Sequence, residues 1–328
     1  MKGLFSFMKS RPIFWFSVTG TTVGLACLIK DIMRGGVFKK NTKADGKVVI
    51  VTGSNTGIGK ETALELAKRG ATVYMACRNM DKCEEAREEI VLGSYNKNVY
   101  CRECDLSSME SIRKFADNFK KEQSRLDILI NNAGVMRCPR SVTKDGIEMQ
   151  FGVNHIGHFL LTNLLLELLK KSAPSRIVVV SSLAHTRGEI NITDLNSEKD
   201  YNEGSAYSQS KLANVLFTRE LAKRLEGTGV TVNALHPGVV DTDIFRHMGF
   251  FNSTFAKIFV KPVVWPFIKS PKYGAQTTLY AALHPDLEKV SGMYFSDCDF
   301  KEVAPAAKDD QMAKWLWAVS EKWTKLNA

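Results

Sequence analysis

The residues best suited to chemistry are Tyr207 and Lys211, four positions apart in Tyr-Ser-Gln-Ser-Lys at the start of a helix-period stretch. That spacing puts a phenol and an ammonium on one helix face. A free phenol has a pKa of about 10 and exchanges protons poorly near neutrality. A close ammonium favours the phenolate, and a cationic ring beside it favours it further. Bringing the phenol into the neutral range takes about 4 kcal/mol of differential stabilisation, within reach of one partly buried lysine plus a second positive charge. A Tyr and a Lys at this spacing more often decorate a helix surface. The pair gains meaning from the elements that position it.

Those elements alternate regularly. Lys47–Thr52 is a β-branched apolar run, read as a buried parallel strand. Gly53-Ser-Asn-Thr-Gly57-Ile-Gly59 follows, then a helical segment over 60–69. Strand, glycine turn and helix in this order form a phosphate-binding unit, with glycines admitting a pyrophosphate and the helix N-terminus facing its charge. The second strand, Thr72–Ala76, ends in Cys77-Arg78 where an NAD-selective site would carry an acid. The forked cation of Arg78 suits a 2′-phosphate, so NADP(H) is expected. Helices over 81–92 and 109–122 and strands over 99–102 and 126–130 continue the alternation. The last of these strands ends in Asn131-Asn132-Ala133-Gly134, whose small residues let the backbone pass close to a cofactor.

A long helix is expected from Phe151 to about Lys171, with polar Asn154 in its apolar first turns. A buried Asn usually satisfies backbone groups; this one could also hold a water for proton relay. Strand Arg176–Val180 ends in Ser181-Ser182, another strand spans 231–235, and the last covers 292–295. The expected fold is therefore α/β, one Rossmann-type doubly wound parallel sheet of about seven strands.

Taken in order, Thr52-Gly-x-x-x-Gly-Ile-Gly59, Asn-Asn-Ala-Gly at 131–134, Asn154, Ser182, Tyr207-x-x-x-Lys211 and Pro237-Gly238 resemble the short-chain dehydrogenase/reductases over about residues 47–295. Ala76-Cys-Arg78, Gly134–Pro139, Gly152–Thr162 and Ser210–Phe217 are similar to the type 11 to 14 retinol dehydrogenases, and most like the type 13 members. The resemblance implies that Tyr207 is the general acid/base, that Lys211 lowers its pKa and bonds the nicotinamide ribose, that Ser182 donates to the substrate oxygen and that Asn154 supports a water relay. It also implies that residues 53–59 (Gly53, Ser54, Asn55, Thr56, Gly57, Ile58, Gly59) and Asn132, Ala133 and Gly134 line the cofactor. Arg78 would sit at the 2′-phosphate, Asp105 and Leu106 near the adenine, and Pro237, Gly238 and Thr242 beside the nicotinamide. One departure is the separation of 25 positions between Ser182 and Tyr207, against about a dozen in common members. A polar loop over 185–203 is expected to absorb the difference.

The net charge of +10 does not point to nucleic acid. Residues 1–45 hold eight Lys/Arg and two Asp, hence +6 of it, and no basic run interleaved with aromatics follows. The charge flanks an uncharged run from Ile13 to Ile29, about 26 Å long as a helix against a hydrocarbon core of about 30 Å. Of a cleaved signal, a mitochondrial presequence and a retained anchor helix, the anchor fits best. Expected domains are an anchor and basic linker over 1–45 and a catalytic domain over 46–328, at the membrane of the endoplasmic reticulum or the mitochondrion. Seven cysteines, an odd number in a long chain, suggest reduced thiols. No metal-ligand pattern is present; a homodimer is compatible with the chain.

From Ile244 to Ile268 large apolar residues crowd together, Phe245, Phe250, Phe251 and Trp265 among them. They suit a lid over a lipophilic substrate, a membrane-contacting patch, or an ordinary core helix pair. The expected activity is NADP(H)-dependent interconversion of a lipophilic alcohol and its carbonyl, with retinol and retinal foremost by resemblance. Other lipid aldehydes, steroid ketones or xenobiotic ketones are the alternative. A nucleotide-binding scaffold without turnover is a third reading, opposed by the joint presence of Asn154, Ser182, Tyr207 and Lys211.

Overall fold

The computed structural model describes residues 12–242 and 264–326. After helix α1 (Pro12–Met33) come β1 (Val48–Thr52), α2 (Gly57–Lys68), β2 (Thr72–Cys77), α3 (Met80–Ser94), β3 (Val99–Glu103), α4 (Met109–Glu122) and β4 (Ile128–Asn131). Then follow α5 (Gly157–Lys171), β5 (Ser175–Val180), α6 (Glu203–Arg224), β6 (Val230–His236), α7 (Pro271–Leu283), β7 (Tyr294–Ser296), β8 (Asp299–Phe300) and α8 (Asp310–Thr324). The sheet order is β3-β2-β1-β4-β5-β6-β7-β8, parallel through β7. Alternation along a strand divides the core. Val48 and Ile50 of β1 pack with α4, α5, α6 and α8, whereas Val49 and Val51 pack with α2, α3 and α7. Two helical layers thus cover one sheet, and the strand order reverses between β1 and β4. A crevice opens there, beyond the carboxyl ends of those strands.

Three features depart from the sequence expectation. The eighth strand pairs antiparallel with β7 through Asp297 and Cys298, both at positive φ (53° and 59°). That is the backbone of a tight two-residue hairpin turn, built without the Asn-Gly or Gly-Gly pair that announces one. The expected long helix over 151–171 begins instead with a single turn, Met149–Phe151, and a π-helical turn, Gly152–Ile156, before α5. Cys83 of α3 and Cys101 of β3, with Cα atoms 6.0 Å apart, form a disulfide, so these two are not reduced thiols. Helix α3 folds back beside β3, which brings together cysteines 18 residues apart.

Among the described residues no helix is long and apolar enough to cross a membrane. Helix α1 does form over the expected anchor, but its Thr and Gly residues dilute its hydrophobicity. Its last turn packs on Trp265–Phe267: Lys30 Nζ donates to the carbonyls of Trp265 (2.8 Å) and Ile268, and lies 4.7 Å from the Trp265 ring centroid. The chain after α1 lies on the catalytic body. Phe38 is buried beneath the Arg69 guanidinium, and Arg69 in turn donates to the carbonyls of Lys40 and Thr42. The domain boundary expected at residue 45 therefore falls inside packed chain.

Candidate active site

The crevice at the strand reversal holds a cleft of about 430 Å³. Its floor is the turn after β1. Gly53 has φ +62°, which a side chain rarely adopts, and a Cβ there would fall 2.8 Å from that of Ala133. At Gly59, in the first turn of α2, a Cβ would lie 2.4 Å from the Gly53 carbonyl oxygen and 2.5 Å from Asn132 Nδ2. Only glycines let the turn, the helix start and the end of β4 meet this closely. The result is a bare-backbone cradle at a helix N-terminus, the form that fits a dinucleotide's pyrophosphate. Asn55, Thr56, Gly57 and Ile58 also line the cleft, as do Asp105, Leu106, Asn132, Ala133, Gly134 and Thr242. At its far end stand Arg78 and Lys82, both exposed and, among the described residues, without a side-chain partner. Lys82, Asn79, Cys104, Val135 and Val153 are wall residues missed in the sequence. Lys82 lies four positions beyond Arg78, and Asn79 caps α3 by accepting from Lys82 N (2.9 Å).

At the nicotinamide side Lys211 reaches the cleft near Gly134, its Nζ 3.5 Å from where a Cβ on that glycine would sit. Asn202 caps α6 by accepting from Gly204 N and Ser205 N, which starts the helix four residues before Tyr207. Tyr207 and Lys211 then share a face as the spacing requires, with Nζ 5.8 Å from the ring centroid. Both are buried. Lys211 donates to the Val180 carbonyl (3.0 Å), which also accepts from Asn214 Nδ2 (3.3 Å). Of the two serines after β5, Ser181 turns inward and donates to the Lys211 carbonyl (2.7 Å). Ser182 is the one that faces the Tyr207 phenol, its hydroxyl favouring the phenolate. Its Oγ accepts from Ala184 N (3.1 Å), which leaves the hydroxyl proton for another partner.

The electrostatics correct one expectation. Lys211 does not pull the phenol down: burial disfavours the phenolate and pushes Tyr207 up to about 12, offset in part by the Ser182 hydroxyl. Burial also pushes the Lys211 ammonium down to about 8. At neutral pH the protein's own groups hold a protonated phenol beside a serine hydroxyl, an arrangement that donates protons.

The sequence matches the short chain dehydrogenase family over residues 47–249. The chain is a short-chain dehydrogenase. It is 53% identical to human retinol dehydrogenase 13 over 320 residues, 97% of both chains, and 55% identical to human retinol dehydrogenase 12 over 296 residues, 89% of this chain and 90% of that one. Mouse retinol dehydrogenases 11 and 14 are 52% and 53% identical over 96% and 84% of this chain. The enzyme therefore belongs to the retinol dehydrogenase 11 to 14 branch. Among solved structures it resembles an uncharacterized protein from Mycobacterium paratuberculosis (38% identity, TM-score 0.71, covering 89% of this chain and 98% of that one). It also resembles the Pseudomonas aeruginosa RhlG/NADP active-site complex (25% identity, TM-score 0.62, 77% and 95%). Enzymes of this family use NAD(P)(H), and the cradle above fits that group.

Asn154 of the dehydrogenase sits in the π-helical turn and is fully buried. Its Oδ1 accepts from Val135 N (2.8 Å), and its two amide hydrogens go to the Val135 carbonyl (3.0 Å) and Ser210 Oγ (2.9 Å). The side chain thus clamps the turn after β4 to the catalytic helix. Its carbonyl accepts from His158 Nδ1 (3.0 Å), so that nitrogen carries the proton and Nε2 accepts from Thr52 Oγ1 (2.9 Å). Thr52 Oγ1 in turn accepts from Asn132 N and Ala133 N (2.9 and 3.0 Å). This closed network ties the end of β1 to the turn after β4 and to Asn154.

Other expected residues of the dehydrogenase fall elsewhere. Ser54 is fully buried and donates to the Val51 carbonyl (2.9 Å), so its side chain braces the glycine turn from behind and does not line the cleft. Pro237 and Gly238 follow the end of β6, with Gly238 N donating to His236 Nδ1 (3.1 Å). Trp265 rests against α1, 44% exposed, and not in the cleft. Phe245, Phe250 and Phe251 lie outside the described residues. The expected loop over 185–203 is turns after a short 3-10 helix, Leu183–Arg187.

Burial of Lys211 has a stability consequence. Its pKa is lower folded than unfolded, so the unfolded chain binds more protons between about 8 and about 10.5, and stability rises with pH across that window. Lys211→Met should therefore melt higher than the wild type at pH 7, by a few degrees, while losing activity. The gain should shrink as the pH is raised from 8 to 10. A thermal melt series of both proteins checks this, and a variant that melts lower at pH 7 contradicts it.

Proposed function

We propose that this dehydrogenase is an NADP(H)-dependent enzyme that interconverts a lipophilic alcohol and its carbonyl compound, retinol and retinal first among them, with reduction favoured. The observation that carries the reading is the buried Tyr207 phenol, facing the Ser182 hydroxyl with Lys211 one helical turn on. When bound, the nicotinamide dinucleotide supplies or accepts the hydride. Ser182 donates to the carbonyl oxygen, Tyr207 gives that oxygen its proton, and Lys211, at the edge of the cleft, bonds the ribose. Asn154 holds the turn that carries Gly134. The retinoid comes from the names of the relatives and fits an apolar segment over 244–268. The same chemistry on another lipid aldehyde or on a steroid ketone is the second reading.

Support for NADP(H) over NAD(H) is the pair of unpartnered cations, Arg78 and Lys82, where the ribose of the adenosine half would lie. Arg78→Ala should raise the Kd for NADPH by about tenfold or more and leave that for NADH within about twofold, since one lost charge-assisted contact is worth about 1.5–3 kcal/mol. Titration of both cofactors checks it; equal losses overturn the 2′-phosphate role.

We further propose membrane association through α1, whose Val23, Leu25, Leu28 and Ile32 are all more than half exposed. The deciding experiment gives the full chain, in mild detergent, NADPH and separate samples of retinal, medium-chain aldehydes and steroid ketones. Oxidation of NADPH fastest with retinal supports the first reading, and a faster aldehyde or ketone supports the second. Binding of NADPH with no oxidation by any of them overturns both.

A further inference from the structure

Two buried side chains outside the expected catalytic set converge on Ser182. His185 lies in the 3-10 helix immediately after it, and Tyr294 comes from β7, with their rings 4.8 Å apart. His185 Nδ1 is 2.7 Å from the Ser182 carbonyl oxygen. Two lone pairs cannot face each other at that distance, so Nδ1 carries the proton and donates. Nε2 then holds the lone pair and faces the Ala304 N–H at 3.5 Å, which agrees with that tautomer. The Tyr294 hydroxyl lies 3.4 Å from the same Ser182 carbonyl and 3.2 Å from Nδ1. With Nδ1 protonated, the phenol turns its hydrogen to the carbonyl and its lone pair to the imidazole. Burial keeps the imidazole pKa low and the tyrosine pKa high, so both groups stay neutral donors at neutral pH.

The residue they hold is the one whose Oγ meets Tyr207. Ser182 has an extended backbone (φ −157°, ψ 159°) and closes the 3-10 helix N-terminus with its own Oγ. Its carbonyl accepts from the His185 backbone N–H (3.1 Å) and is held further by the His185 ring and the Tyr294 hydroxyl, and its Oγ accepts from Ala184 N. The position of Oγ is then set by the scaffold before any substrate arrives. Resting on the role of Ser182 argued above, we propose that His185 and Tyr294 are positioning residues that fix the Ser182 peptide plane and thereby aim its hydroxyl at the substrate carbonyl. A displacement of about 1 Å at such a donor can cost up to about 10²-fold in rate.

The test compares four variants of the full chain, with kcat for carbonyl reduction and KM for NADPH as readouts. His185→Phe keeps ring volume without a donor and should lower kcat by about 30-fold with KM for NADPH unchanged. His185→Asn places an amide donor near Nδ1 and should recover most of that loss. Tyr294→Phe removes one oxygen and should lower kcat about three- to fivefold. Added to Ser182→Ala, Tyr294→Phe should cause no further loss, because it acts only through Ser182. Should His185→Phe not fold, Tyr294→Phe alone and in the double variant carries the test. Wild-type kcat in His185→Phe, equal losses in the Asn and Phe variants, or multiplying losses in the double variant would each overturn the positioning role. An active Ser182→Ala enzyme would instead overturn the assignment of Ser182, a separate result.

Discussion

Tyr207→Phe should lower kcat for carbonyl reduction by at least about 10²-fold and leave the Kd for NADPH within about twofold of wild type. The substitution removes one oxygen from a ring already buried in the domain, so packing is unchanged while the proton donor is lost. Cofactor affinity is retained because the cradle at Gly53 and Gly59 and the cations at Arg78 and Lys82 lie elsewhere in the cleft. The pH dependence separates the two directions. Reduction needs the protonated phenol, present at all pH values well below about 12, and should be flat across neutrality. Oxidation needs the phenolate, whose fraction grows about tenfold per pH unit below that pKa, so its rate should climb with pH. A positive charge brought beside the ring moves the climb to lower pH without changing its sign. Steady-state rates from pH 5.5 to 7.5, below the Lys211 pKa of about 8, test this in both directions. Activity of the Phe variant equal to wild type, or oxidation that falls as pH rises, removes Tyr207 from its role.

Gly59→Ala should weaken NADPH binding by about 10²-fold, some 2.7 kcal/mol. The new methyl would stand 2.4 Å from the Gly53 carbonyl oxygen and 2.5 Å from Asn132 Nδ2. The first is backbone. The second belongs to a side chain held to the Thr52 carbonyl at 2.8 Å, so it cannot swing aside cheaply. The turn must open, and with it the row of N–H groups that would face the pyrophosphate. Gly46, by contrast, has nothing within 4 Å of a would-be Cβ, although its φ of +72° makes a substitution there strained. Gly46→Ala should cost stability without changing the Kd. Fluorescence titration with NADPH, alongside thermal melts, distinguishes the two; unchanged affinity in Gly59→Ala contradicts the cradle.

The sheet and its helices were legible because β1, β4 and β5 are short apolar runs rich in β-branched residues. Buried on both faces, such runs have few other places to go. The pairing of Tyr207 with Lys211 followed from helical spacing alone. What escaped depends on contacts distant in sequence. The Cys83–Cys101 bridge needs α3 laid against β3, and the hairpin at Asp297 and Cys298 uses positive φ at residues that seldom advertise it. The state of Tyr207 was misjudged because a charge partner is visible in sequence whereas the depth of burial is not. The partners of the Asn154 side chain, Val135 and Ser210, escaped for the same reason: they come from different parts of the chain. His185 and Tyr294 carried no signal, being far apart in sequence and ordinary core residues by type.

Phe38 decides where this enzyme can be shortened for expression. Its ring lies between Arg69, Tyr280 and His284, and its N–H donates to Gln276 Oε1 (3.1 Å). A protein starting near residue 45, where composition turns from basic to regular, would leave that slot empty against α7 and forfeit about 3–5 kcal/mol, as for a deleted core phenylalanine. One starting at Arg34 sheds α1 and keeps the plug.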